Sequence, residues 1–132
     1  LKHKHIPEIM RYTGLSARPL FVPAVGNFRQ GMLVQLPLHL DQLPGQPKAA
    51  ELQEALRAHY AASAAQGGWV SVEAPTDNAK LDALALNDTN KLEIRVFANE
   101  EARHAVLFAR LDNLGKGASG AAVQNIQLML GL

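Results

Sequence analysis

Hydrophobic and polar positions alternate most cleanly over residues 91–97, where Leu92, Ile94 and Val96 fall on one side and Lys91, Glu93 and Arg95 on the other. A period of two is that of a β-strand with one face buried and the other wet or shared with a partner. Residues 105–111 form a more continuously apolar strand, and the Asn99-Glu100-Glu101 turn between the two predicts an antiparallel hairpin. Residues 32–40 alternate as well, with Met32, Val34, Leu36, Leu38 and Leu40 opposed to Gln35 and His39. Pro37 has no N–H to give to a ladder, so this strand belongs at an edge or a bulge. Residues 19–25 are apolar and extended, and 69–74 read as a short strand.

The pattern changes to helical spacing in three places. Pro7 suits a first helical position, Glu8 complements the helix dipole in the first turn, and Gly14 stops a short helix over 7–12. The turn Leu43-Pro44-Gly45-Gln46-Pro47 leads into a second helix in which Ala49, Leu52, Leu56 and His59 recur on one face, ended by Gly67-Gly68. A third runs over about 116–130. Between the second helix and the 91–97 strand the chain is mostly turn-like, with Asp77-Asn78 and Asn87-Asp88-Thr89-Asn90 carrying loop chemistry. Four or five strands with three helices predict an α+β domain, its sheet mainly antiparallel with the helices packed on one face.

Composition narrows the field. A chain of 132 residues, 48% of them hydrophobic, has room for one domain spanning 1–132 and one core. Thirteen Lys and Arg against twelve Asp and Glu leave a net charge of +1 with no basic stripe, which argues against nucleic acid or an anionic membrane as partner. No apolar run approaches the roughly 18 residues needed to cross a bilayer, and no secretory signal pattern is present. A soluble, cytoplasmic protein is the expectation. With no cysteine, the chain itself offers no disulfide, thiolate metal site or thiol nucleophile.

Three stretches carry candidate chemistry. In Asp112-Asn113-Leu114-Gly115-Lys116-Gly117-Ala118 a Gly-rich turn opens into a helix with an almost side-chain-free face, which permits close approach of a backbone or a cofactor. In His3-Lys4-His5-Ile6-Pro7-Glu8-Ile9 two imidazoles and a carboxylate gather at the positive end of a helix dipole, where an uncharged imidazole can accept a proton. The same three side chains are also a candidate metal-ligand set, or a solvated terminus. In Gly26-Asn27-Phe28-Arg29-Gln30-Gly31 a guanidinium sits on a backbone able to bend around a carboxylate or phosphate, which Arg grips as a fork; the alternative is an ordinary loop arginine. Asp112 and Asn113 can equally serve as helix caps. His39, His59 and His104 stand alone as structural residues, and Lys116 reads as a solvated first-turn residue.

In this order and spacing the three stretches resemble the C-terminal part of N-acetyl-gamma-glutamyl-phosphate reductase, and more loosely that of aspartate-semialdehyde dehydrogenase. The resemblance covers nearly the whole chain. It implies the fold of a glyceraldehyde-3-phosphate dehydrogenase-like C-terminal domain, excised from a longer enzyme whose N-terminal dinucleotide-binding domain is absent. It implies an NADP-dependent, bacterial enzyme of arginine biosynthesis that reduces N-acetyl-glutamyl 5-phosphate to the 5-semialdehyde through a cysteine lying upstream, so that this piece alone is inactive. It implies His5 as the acid/base catalyst, His3, Glu8 and Arg29 around the acyl-phosphate substrate, Asn113 at the nicotinamide, no metal, and a homo-oligomer. Residues 85–93 depart from the Asn-Tyr-Cys-Asp type segment of many members, which resembles the shorter bacterial subtype. Alternatives are an aspartate-semialdehyde dehydrogenase-like reductase of another acyl phosphate and a non-catalytic interaction module of the same fold.

Overall fold

The computed structural model describes residues 2–65, 68–76 and 80–132. Four strands form one sheet in the order β1-β4-β3-β2, with β1 at Met32–His39, β2 at Val70–Val72, β3 at Leu92–Asn99 and β4 at His104–Leu111. β3 and β4 make the expected hairpin, and β1 joins β4 antiparallel, Met32 opposite Leu111 and His39 opposite His104. β2 pairs with β3 in parallel, so the sheet is mixed, although two of its three pairings are antiparallel. The parallel pairing follows from the connectivity: α2 (Ala49–Ala65) precedes β2, and a long connection returns from β2 to the start of β3. β1 is an edge strand, which accommodates Pro37.

The core forms where α2 lies on the sheet. Leu40, Ala49, Val96 and Ala105 are buried together, with Leu43, Leu52, Leu56 and Leu107 packed around them. The start of α2 is held by the hairpin. The Ala49 N–H donates to the Glu100 carboxylate at 2.9 Å, and the Lys48 N–H to that of Glu51 at 2.7 Å. Arg103 donates in turn to the carbonyls of Gln46 and Pro47. Helix N-termini leave free N–H groups, and these carboxylates satisfy two of them.

On the opposite sheet face the period-two pattern has a different outcome from a plain wet surface. Lys91 is exposed, but Glu93 and Arg95 are mostly shielded and are joined by Arg110, which is directly opposite Glu93 on β4. Arg110 donates to both Glu93 oxygens at 2.8 and 2.9 Å, and Arg95 to Oε1 at 2.7 Å. The two guanidiniums also bond to the carbonyls of Ala74 and Asp82, so the connection after β2 crosses this end of the face. Beyond it Phe97 and Phe108 meet edge to face at 5.5 Å. At the far end His39 and His104, expected to stand alone, lie opposite one another with ring centres 4.7 Å apart. Strand register, which periodicity does not reveal, brings them together.

Other expectations need correction. The first helix, α1, spans His5–Thr13, so Pro7 is its third residue; every residue of the first turn lacks an intrahelical N–H bond, which leaves Pro tolerated there too. Residues 19–25, expected to be extended, join no strand among the described residues, and Leu20, Val22 and Val25 are exposed. On α2, Tyr60 rather than His59 turns inward. The last helix begins as a π-helical turn, Gly115–Ser119, before α3 at Gly120–Leu130, whose Val123, Ile126, Leu128, Met129 and Leu130 are exposed. Gly67 and the Asp77-Asn78 turn lie outside the described residues.

Burial works against charge on Glu93, but hydrogen bonds and charge from Arg95 and Arg110 outweigh it and hold the carboxyl below its ordinary value of 4.5. A carboxylate with a depressed folded pKa adds stability that is complete above the unfolded pKa and is lost as pH falls through the folded one. Urea denaturation of wild type and Glu93→Gln should therefore differ above pH 4.5, and the difference should shrink as pH drops below that value.

Candidate functional site

Asp112, at the end of β4, is 1% exposed, and its carboxylate gathers donors from three parts of the chain. Oδ1 accepts the Leu114 N–H at 2.8 Å, while Oδ2 accepts the Asp88 N–H at 2.7 Å and Gln30 Nε2 at 3.0 Å. The Gly115 N–H is the largest influence on its ionisation. Together with the Leu114 and Asp88 N–H groups and the Arg29 charge it outweighs burial and holds the carboxyl below its ordinary value. Asp88 adopts φ +60°, a left-handed conformation that Asp tolerates, to present its N–H. Asp112 thus caps the turn that opens the last helix, the role read for it from sequence, and also ties the 88 loop and the 30 loop to the helix start.

Gln30 is almost fully buried. Its Nε2 donates to Asp112 and to Asp88 Oδ1 at 2.8 Å, and its Oε1 accepts a hydrogen bond from Arg29. The neighbouring Gly31 N–H donates to Asn113 Oδ1 at 2.8 Å. Gly31 has φ +111°, and a Cβ there would stand 2.5 Å from the Ala83 carbonyl oxygen, so only glycine fits beneath the 83–87 turn.

These contacts line two adjoining clefts. One, of about 600 Å³, is bounded by Val25, Gly26, Phe28, Arg29, Gly31 and Asn113. The other, of about 480 Å³, lies over Asp88, Asn90, Asp112, Gly115, Ser119 and Gly120. Arg29 and Gln30 border both. The side-chain-free start of the last helix admits the chain's own 89–90 segment: a Cβ on Gly120 would come within 2.3 Å of Asn90 Oδ1. Lys116 departs from the solvated reading, since burial lowers its pKa and its Nζ donates to Gln124.

Of the side chains proposed from sequence, Arg29 and Asn113 come together in one cleft although 84 positions separate them. Asn113 spends Oδ1 on Gly31, which leaves its Nδ2 to donate to a ligand. His3 and His5 form a separate cluster, ring centres 4.7 Å apart, with Phe21 4.8 Å from His3 and 6.3 Å from His5. His5 is the first residue of α1 rather than its predecessor, and its N–H donates to His3 Nδ1 at 3.3 Å. Glu8 is exposed on α1, and the imidazoles line neither cleft. Among the described residues no three His, Cys, Asp or Glu side chains are grouped as metal ligands.

Sequence reasoning passed over Gln30 and Asp88, whose roles depend on contacts 58 and 82 residues away. The signal available was weak: a neutral amide between Arg29 and Gly31 in a stretch otherwise read for its charge.

Comparison with known proteins gives the cleft a context. Over 98% of its length the chain is 48% identical to N-acetyl-gamma-glutamyl-phosphate reductase 2 of Nostoc sp., covering 41% of that protein. It is 49% identical to the protein of the same name from Pseudomonas putida, over 99% of this chain and 42% of the relative. The N-acetyl-gamma-glutamyl-phosphate reductase of Mesorhizobium japonicum is 49% identical over 100% of the chain and 43% of its own length. The chain therefore spans about two fifths of the curated relatives it matches. A family model described as semialdehyde dehydrogenase, dimerisation domain, matches residues 1–113, a stretch that takes in the α1 histidines, the whole sheet and the turn that positions Asn113. By that match the chain belongs to the semialdehyde dehydrogenase dimerisation-domain family.

Proposed function

We propose that this chain is the substrate-binding and dimerisation domain of a longer, cytoplasmic N-acetyl-gamma-glutamyl-phosphate reductase, and that the cleft between Arg29 and Asn113 receives the acyl phosphate beside the cofactor. The observation that carries the reading is that Arg29 and Asn113 border one cleft, with Asn113 tied by its Oδ1 to the Gly31 N–H two residues after Arg29, within a chain similar along its whole length to reductases of that name. Arg29 offers a guanidinium, 80% exposed, to a carboxylate or phosphate. Asn113 Nδ2 would hold the carboxamide of NADPH, which when bound supplies a hydride. A thiol nucleophile would come from outside this chain, which has no cysteine.

In this scheme His5, which lines neither cleft in this chain, would have to meet the reacting carbonyl in the whole enzyme to move protons there, with His3, whose Nδ1 accepts the His5 N–H, and Glu8 flanking the substrate. Acid/base catalysis acts on the transition state, whereas an anion grip holds substrate and transition state alike. In the full-length enzyme His5→Asn should thus lower kcat by about 10²–10⁴ with little change in KM. Arg29→Ala and His3→Asn should act mainly on KM. Steady-state kinetics on N-acetyl-glutamyl phosphate separate the two classes, and a His5→Asn enzyme within a few-fold of wild type would reject the catalytic role. The purified 132-residue chain should show no turnover in the same assay, and measurable reduction by it would contradict the need for an external nucleophile.

The sheet face bearing Phe97, its cross-strand partner Val106 and Phe108 is the proposed contact between subunits. Desolvating a charge there without a partner is costly. Phe97→Asp should shift the sedimentation coefficient from dimer to monomer, while Lys91→Ala should leave it unchanged. A dimer that survives Phe97→Asp would place the contact elsewhere.

A further inference from the structure

Gln30 separates a cation from two anions. On one side the Arg29 guanidinium donates to Oε1; on the other Nε2 divides its two protons between Asp88 Oδ1 at 2.8 Å and Asp112 Oδ2 at 3.0 Å. A carboxamide is suited to this place in one orientation only, because the reverse would turn its carbonyl toward two carboxylates and its N–H groups toward a guanidinium. The orientation is locked further by the backbone: the Gln30 carbonyl accepts from Asn87 Nδ2 at 3.3 Å.

The spacing has an electrostatic consequence for Arg29. The guanidinium already forms a loose ion pair with Asp88 Oδ1 at 3.8 Å, too long for a hydrogen bond or a bidentate fork, and its side chain remains 80% exposed at the border of both clefts. Guanidinium and carboxylate pair strongly as a bidentate fork when nothing intervenes. With the amide removed, Arg29 would be free to close onto Asp88 and the carboxylate edge of Asp112, and a guanidinium so paired has little left for an incoming anion.

We propose that Gln30 is a positioning residue: its carboxamide holds the Arg29 guanidinium out over the cleft and keeps it from collapsing onto Asp88 and Asp112, so that the site retains affinity for a carboxylate or phosphate. This rests on the reading above only in taking Arg29 as the anion-binding group. It differs from a packing role, because a packing role would lower stability without depending on Arg29.

The test uses the 132-residue chain titrated with inorganic phosphate, followed by the Arg29 side-chain NMR signal. A charge-assisted hydrogen bond is worth about 1.5–3 kcal/mol, so Gln30→Leu should weaken phosphate binding about tenfold or more. In an Arg29→Ala background the same change should have no further effect, as expected when one residue acts through the other. Gln30→Glu supplies a second check, read as phosphate affinity relative to wild type at each pH because phosphate itself changes charge, with folding followed by the backbone amide spectrum. At neutral pH its carboxylate is aligned against two others and binding should be poor; as pH falls and it regains a proton, the neutral carboxyl can donate to Asp112 and accept from Arg29, and affinity should recover toward that of wild type. Unchanged phosphate affinity in Gln30→Leu, an additive loss in the double variant, or a Gln30→Glu affinity that does not recover in acid would each overturn the proposal. Kinetics of the full-length enzyme then bear on the functional reading separately: a wild type inactive on the acyl phosphate removes that reading, while the phosphate titration still decides the role of Gln30.

Discussion

The arrangement of this domain turns on a carboxylate that cannot reach water. Asp112 is buried and charged, and a buried charge is tolerated only where hydrogen bonds replace its lost solvation. Its donors come from its own turn, from the 88 loop and from Gln30, which reach it from distant parts of the sequence. Satisfying one side chain therefore fixes three loops relative to the end of the sheet. The left-handed Asp88, the position of Gly31 below Ala83 and the approach of Asn90 to Gly120 all accompany that convergence.

The two charged assemblies of the domain serve different ends. Around Glu93 two arginines close on one carboxylate beside the aromatic pair, and the guanidiniums are largely shielded. Around Asp112 the nearest guanidinium is held at one remove by an amide and stays exposed. Direct pairing neutralises the charges on one sheet face; indirect pairing leaves a guanidinium open to solvent at the border of a cleft that also carries two aspartates.

What the sequence disclosed follows from the range of the forces involved. The hairpin, the edge position of the Pro37 strand and the helix over 49–65 depend on periods and turn residues within a short window, and each was legible. Arg29 and Asn113 were legible as chemistry, since their donor groups are distinctive, but the hydrogen bond from Gly31 that sets Asn113 beside the Arg29 loop spans 82 residues. Register was not legible: His39 and His104 looked solitary until strand pairing set them side by side. Nor was the parallel placement of β2, which follows from a crossover rather than from any local pattern. Whether the apolar stretch over 19–25 would pair was not legible either, because hydrophobicity alone says nothing of pairing partners, and it joins no strand among the described residues.

The bond from the Ala49 N–H to Glu100 has a consequence for how the family can vary. A helix lying on a sheet through aliphatic contacts has weak control over its own axial position, since leucines pack nearly as well one turn along. Here a carboxylate at the tip of the β3–β4 loop grips the first turn of α2, and Arg103 from the same loop grips the two carbonyls just before it. The loop is therefore a gauge for the helix, and its four residues between the strands leave no slack. Insertions there would shift helix against sheet, whereas added length in the connection between β2 and β3 costs little beyond loop-closure entropy. Length variation among relatives is thus expected to concentrate in the second of these loops and to spare the first.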